Sequence, residues 1–403
     1  MLYSPIIKLI GEFVGNLKNV KGIYVRGSLS RGDGIPGRSD IDLTILIEEI
    51  ENGKEEAELL YQLYWRYKFL KRIFPLMGEW EIFDEKELYS FHLKKTDRSY
   101  LVRYWGKIKG KIPSFGITKV EREDILTRMS WWICEILPHA YRKGNLHALL
   151  NAFLEIYVLC EYLEGKPVEP FPSRNEILVR LIQEKREKEL IELFFLRKRS
   201  YLFIDRGNKE KLARWLYRKT LQRILEKREK IFPLEFSNLK SRVINSFKPF
   251  QYLLQKYYLV SCEEDFLYVE RNFIPIPEAL FLSYLQFLSP WEIESVKKYN
   301  PGIIKISSTP YIKRYLRTGG IIKDLRYHIF RFPSATLFLY LQLRLYLEKG
   351  FVASDLKELV REYNRHFSDY EFLSSLKGKN LLLKGYPLMR DTLKELLKSS
   401  QNI

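Results

Sequence analysis

Between Gly22 and Ile47 the chain reads GIYVRGSLSRGDGIPGRSDIDLTILI, and few folds accommodate that order. Ile23, Tyr24 and Val25 form a short β-prone run that stops at Gly27-Ser28. Asp40-Ile41-Asp42 opens a second such run, Leu43 to Ile47. The expected sequence of elements is strand, tight glycine turn, helix start, long loop, strand. Side chains alternate faces along a strand, so Asp40 and Asp42 project to one side while Ile41 and Leu43 project to the other. Two carboxylates held that close resist joint ionisation unless a cation sits between them. Hard oxygen ligands of this kind suit Mg²⁺, which also shares its sphere with substrate phosphates. The turn supplies the complementary half: small residues bring backbone N–H groups close to an anion, and a helix N-terminus favours negative charge. The glycines match neither the G-x-x-x-x-G-K-[ST] of a P-loop nor the G-x-G-x-x-G of a dinucleotide site.

Gly27-Ser28, Arg31-Gly32 and Ser39-Asp40-Ile41-Asp42-Leu43 together resemble the signature of the DNA polymerase β-like nucleotidyltransferase superfamily. That signature is Gly-Ser, a spacer, then Asp-x-Asp inside an apolar strand. The spacer here is long because of the insert Asp33 to Gly37. The resemblance implies a small mixed sheet with flanking helices and two-metal phosphoryl transfer from an NTP. It implies that Asp40 and Asp42 hold two Mg²⁺ ions, that Gly27 N–H and the Ser28 hydroxyl bind the β/γ oxygens, and that Arg31 or Arg38 gives electrostatic help. The family completes its metal site with a third acid on a neighbouring strand. Met77 to Phe83, MGEWEIF, is that strand, with Trp80 and Ile82 on one face and Glu79, Glu81 and Phe83 on the other. Glu81, directly flanked by apolar residues, is the expected third carboxylate, and Glu79 is the alternative.

The resemblance covers about the first quarter of a 403-residue chain, which is long enough for two or three domains. Hydrophobic residues make up 46% and aromatics 15%, ample for packed cores. Pro5 to Leu17 and Lys54 to Phe74 carry a helical period on either side of the motif strands. After Pro113 the pattern turns helical, at 121–137, 146–163, 175–195 and 209–231. The last is crowded with Arg214, Arg218, Lys219, Arg223, Lys227, Arg228 and Lys230. Further helices are expected at 334–348 and 354–365. The expected domains are a catalytic α/β domain at 1–115, a helical domain at 116–235 and a mainly helical C-terminal domain at 236–403. In the last, Tyr311, Lys313, Arg314, Tyr315 and Arg317 interleave aromatics with cations as an RNA-binding surface does. Arg142-x₄-His147 and Arg361-x₄-His366 fit a ribonuclease spacing, but arginine is too common here for that pattern to carry information.

Lys plus Arg number 68 against 50 Asp plus Glu, a formal charge of +18 that suits a polyanionic partner. Cys134, Cys160 and Cys262 have neither disulfide nor zinc spacing, which fits a reducing cytoplasm. The N-terminus lacks the pattern of a signal peptide, and the most apolar stretch is broken by Asn151, Glu155 and Glu161, so no membrane association is expected. Charge and motif together favour transfer of nucleotides to the 3′ end of tRNA or another small RNA. The alternatives are a small-molecule enzyme of aminoglycoside type, a protein-modifying enzyme, and an inactive binding module. An aminoglycoside site calls for an acidic cleft, and both aspartates being present argues against an inactive module.

Overall fold

The computed structural model describes residues 3–231 and 320–400, apart from residues 36, 133–135, 143, 186, 200–205, 332, 352 and 354–355. The C-terminal aromatic–cation cluster Tyr311 to Arg317 lies outside the described residues. The described residues fall into two units, 3–117 with 320–400, and 118–231.

The first unit is built on a four-stranded mixed sheet in the order β3-β2-β1-β4. The strands are β1 (Val20–Arg26), β2 (Ile41–Ile47), β3 (Met77–Asp84) and β4 (Gly106–Lys109). β1 runs antiparallel to both β2 and β4, whereas β2 and β3 are parallel and joined by helix α2 (Gly53–Ile73). Alternation sorts the side chains as period-2 patterning requires. Ile23, Val25, Ile41, Leu43, Ile45, Trp80 and Ile82 enter the main core with α1 (Ser4–Gly15) and α2. Tyr24 and Phe83 enter a smaller core on the opposite face, with Leu88 and Phe91 of α3 (Glu85–Lys94).

The register between β2 and β3 slips at one point. Ile41 pairs with Met77 and Leu43 with Trp80, so the single residue Asp42 faces both Gly78 and Glu79. This is a β-bulge, a device that re-aims side chains beside functional sites. It also explains why Met77 and Trp80, three residues apart, both reach the main core.

Residues 320–400 do not form a core of their own. Helices α11 (Ile321–Arg331), α12 (Pro333–Lys349), α13 (Leu356–His366), α14 (Tyr370–Ser375) and α15 (Tyr386–Ser400) send Ile321, Leu325, Leu341, Tyr386 and Met389 into the same core as the sheet. α11 packs along β3, covering an edge that would otherwise expose unpaired backbone. The sequence alone places this segment in a C-terminal domain of its own, whereas its apolar side chains share the core of the sheet.

The second unit is helical, with α4 (Arg122–Trp131), α5 (Leu137–Arg142), α6 (Leu146–Leu163), α7 (Arg174–Lys185), α8 (Lys188–Arg199) and α9 (Arg206–Ile231). α6 is long and apolar enough to cross a membrane by length and composition, yet it is 78% buried inside the fold, as a central core helix is. Its polar residues are answered within the unit: Glu155 pairs with Arg174 at 2.9 Å, Glu161 with Lys166 at 2.9 Å, and Asn151 accepts from Arg197 at 3.2 Å. The stretch read as one helix from 175 to 195 is two. Residues 183–189 include no apolar side chain, so no packing stripe carries a helix through them.

Candidate active site

The site is assembled where β1 ends and β2 begins, beside the bulge. Arg26, the last residue of β1, is the direct cross-strand partner of Asp42. Opposite charges at such a position attract, and they share the face that carries Tyr24 and Phe83. The Arg26 side chain reaches on across β2 to β3. Its Nη2 donates to Glu79 at 3.3 Å, and its Nε lies 3.5 Å from Glu81.

Asp42 is held from two sides by glycines. Gly27 has a φ of +77°, a left-handed conformation that side chains rarely adopt, and a Cβ there would stand 2.7 Å from Asp42 Oδ2. At Gly78 a Cβ would collide with Asp42 Oδ1 and crowd Asp40 Cβ at 3.1 Å. The Glu79 backbone N–H donates to Asp42 Oδ1 at 2.8 Å. Burial pushes the Asp42 carboxyl up to about 6, and the neighbouring Asp40 charge adds to that rise against the pull of Arg26. Asp40 is exposed, and Asp42 is half-buried. Among the described residues, neither forms a salt bridge with lysine or arginine. The pair therefore suits a divalent cation: hard oxygen donors, close together, with a shortage of local positive charge. Among the described residues no group of three or more His, Cys, Asp or Glu closes around a metal.

The glycine turn differs from expectation. Gly27 to Gly32 form hydrogen-bonded turns, not a helix start. The two left-handed glycines, Gly27 and Gly32 at +75°, are incompatible with continuing helical backbone. The Asp33 N–H returns to the Ser28 carbonyl at 2.9 Å, and the Ser39 hydroxyl accepts from Ile35 N–H at 2.8 Å, closing the loop on itself. No helix dipole acts here. What remains for an anion is the backbone of Gly27 and Ser28 and the Ser28 hydroxyl. Arg31 is turned into this loop, 6% exposed and 3.6 Å from the buried Asp33 carboxylate. Arg38 sits two residues before Asp40 and is half-buried.

Glu79 and Glu81 both share the Asp42 face, as alternation predicted, but their settings differ. The Glu79 side chain is 38% exposed, whereas that of Glu81 is 12% exposed. Burial alone raises a carboxyl, yet the Arg26 guanidinium and the Lys323 ammonium hold Glu81 well below the usual range. Lys323 comes from α11 and lies 3.3 Å from Glu81 Oε1. Sequence reading missed Arg26, Gly78 and Lys323. The first had a visible signal, since it alternates with Tyr24 toward the acid face. Lys323 had none, because nothing local to α11 announces that it packs on β3.

The model of a nucleotidyltransferase domain matches residues 6–127. No curated protein matches the chain. Among solved structures, spectinomycin adenyltransferase from Enterococcus faecialis, crystallised with ATP and spectinomycin, is similar at 14% identity and a TM-score of 0.33, over 55% of this chain and 99% of that one. Residues 6–127 are a nucleotidyltransferase domain, and the chain that carries it is an enzyme of that class.

Proposed function

We propose that the chain transfers a nucleoside monophosphate from an NTP to a hydroxyl at the 3′ end of tRNA or another small RNA. The observation that carries the transfer reading is the under-neutralised Asp40–Asp42 pair facing Gly27 and Gly78, next to a turn that offers backbone N–H groups. Asp40 and Asp42 would hold two Mg²⁺ ions, which would supply charge neutralisation of the triphosphate and acidification of the acceptor hydroxyl. Gly27 N–H and the Ser28 hydroxyl bind the β/γ oxygens, with Arg38 as the nearby cation. Arg31, committed to Asp33, braces the loop. The acceptor oxygen bonds to the α-phosphorus as the bond to the β-phosphate oxygen breaks, and pyrophosphate departs.

We assign the third carboxylate to Glu79 rather than Glu81. Glu79 lies beside Asp42 at the bulge, and its side chain is the more exposed of the two. Glu79 takes the acceptor proton or orients the hydroxyl. Glu81, with a cation on each oxygen, anchors Arg26.

The RNA acceptor is supported by the +18 charge and by a cleft of about 620 Å³ in the helical unit. Lys211, Arg214, Arg218, Lys219 and Trp215 line it beside Glu189 and Glu210, cations in excess with an aromatic ring, a composition that suits phosphates and a stacked base. The test is incubation with Mg²⁺, each α-labelled NTP in turn and total cellular RNA, with Asp42→Ala alongside. Label in an RNase-sensitive, tRNA-sized band that the variant loses is the expected result. Label entering an added aminoglycoside or protein, and no RNA, overturns the acceptor and moves it to that class.

A further inference from the structure

Glu81 connects the acid face of the sheet to a helix from the far end of the chain. Its Oε2 lies 3.5 Å from Arg26 Nε, and its Oε1 lies 3.3 Å from Lys323 Nζ. Arg26 in turn pairs with Glu81 and with Glu79 at 3.3 Å, and its charge also acts on Asp42, its cross-strand partner. A line of alternating charge thus runs from Lys323 through Glu81 and Arg26 to Asp42.

Lys323 is fixed at its end of that line. Its side chain is 9% exposed, its ammonium is 3.0 Å from Asp324 and 5.0 Å from the centre of the Phe91 ring, and Gly320 packs closely on Phe91. One turn further on, Arg326 ties the same helix to Glu56 at 2.7 Å and to Asp84 at 3.2 Å. A lysine buried this firmly against a carboxylate is set in place by packing rather than drawn there by chance encounter.

We infer that Lys323 is a positioning residue for the transfer site: by neutralising Glu81 from the outer side, it leaves Arg26 available to Asp42 and Glu79, and so sets how strongly the aspartate pair holds its cation. The inference rests on the reading of Asp40 and Asp42 as cation ligands. Without Lys323, Glu81 draws Arg26 toward itself. Asp42 then loses part of its counter-charge and binds a divalent cation more tightly, while Glu79 loses the contact that orients it.

The test is titration of the full-length protein with Mn²⁺ alone, following free Mn²⁺ by electron paramagnetic resonance. Lys323→Met should tighten binding about threefold to tenfold, the size expected for withdrawing one partial counter-charge at this range. Lys323→Arg should keep the wild-type value. In a Glu81→Gln background Lys323→Met should have little further effect, since the influence runs through Glu81. In turnover, Lys323→Met should lower kcat about tenfold with KM for the NTP nearly unchanged, as loss of a transition-state interaction does. Wild-type Mn²⁺ affinity with only a lowered Tm overturns the inference, and so do additive effects of the two substitutions. Asp42→Asn separates the failures: if it binds Mn²⁺ as the wild type does, the cation reading falls and the inference with it.

Discussion

The first unit contains two clusters of acids, and they are balanced differently. Glu56 is answered by two guanidiniums. Glu56 Oε1 accepts from Arg326 Nε at 2.7 Å and from the Tyr386 hydroxyl, and its Oε2 accepts from Arg390 Nε at 2.8 Å. Arg326 also meets Asp84 and Glu87, which form a capping box at the start of α3, and Arg390 donates to the Glu51 carbonyl at 2.8 Å. Despite complete burial, Glu56 is pulled down to about 2 by the two guanidiniums. Around Asp42, four acids (Asp40, Asp42, Glu79 and Glu81) share Arg26 and Lys323; both cations form their ion pairs with the glutamates, and Asp42 has only a share of the Arg26 charge. Asp42 accordingly goes the other way, up to about 6. A buried acid surrounded by its own counter-charges belongs to the architecture. One left short of charge at the end of two strands is a candidate ligand site.

The sharpest way to break this contrast is to neutralise one member of each cluster. Asp42→Asn should lower nucleotidyl transfer by about a thousandfold or more, the scale on which central electrostatic groups act. The same substitution should raise Tm in metal-free buffer, because it removes a charge that burial and Asp40 disfavour. Arg326→Met should do the reverse in denaturant unfolding. It strands Glu56, Asp84 and Glu87 without their shared cation, and breaking a buried pair this way costs about 3–5 kcal/mol. An unchanged unfolding midpoint would mean that the Arg326 ion pairs contribute nothing to holding α11 on the sheet.

Gly78→Ala gives a smaller effect confined to the site. The new methyl meets Asp42 Oδ1 and comes within 3.1 Å of the Ile41 carbonyl, so the bulge or the carboxylate must shift. Transfer should fall roughly ten- to hundredfold, as displacements of about an ångström do, with stability reduced by about 1–3 kcal/mol.

The Glu56 cluster carries its own pH signature. Burial, with Asp84 and Glu56 nearby, pushes Glu87 up to about 7 against the pull of Arg326. Its folded value exceeds that of the unfolded chain, so between about pH 4.5 and 7 the folded protein holds the extra proton. Stability from this group is therefore present at low pH and lost as pH rises through about 7. Glu87→Gln should remove that slope, so that the Tm difference between variant and wild type grows from pH 5 to pH 8. His92 slopes oppositely: burial lowers it to about 4, and its contribution is lost as pH falls below its usual range. A curve unchanged by Glu87→Gln would contradict the assignment.

What the sequence revealed was local, and what it hid was not. The strands around Gly27-Ser28, the face shared by Asp40 and Asp42, and the common side of Glu79, Glu81 and Phe83 all follow from a period of two within a few residues. The bulge at Gly78-Glu79 is a property of pairing between strands, so MGEWEIF gave no sign of it. Nothing in the local sequence sets Glu56 apart from Glu55 and Glu58 beside it, and acids near a helix start are favoured by its dipole. Its full burial depends on Arg326, Tyr386 and Arg390, which fold over it from the end of the chain. Lys323 and Arg326 look like ordinary helical cations in IIKDLRYHIFR. Only the docking of α11 on β3 gives them their separate roles.

On this reading Asp42 is short of positive charge until a divalent cation and a nucleotide arrive. The most direct measurement is Tm against Mg²⁺ concentration in the presence of ATP, for the wild type and Asp42→Asn side by side. The wild type should start lower and climb with Mg²⁺, since a ligand that binds only the folded state stabilises it by mass action. The variant should start higher and stay flat. Equal climbs in both proteins, or none in the wild type, would contradict the claim that this pair of aspartates is the nucleotide–metal site.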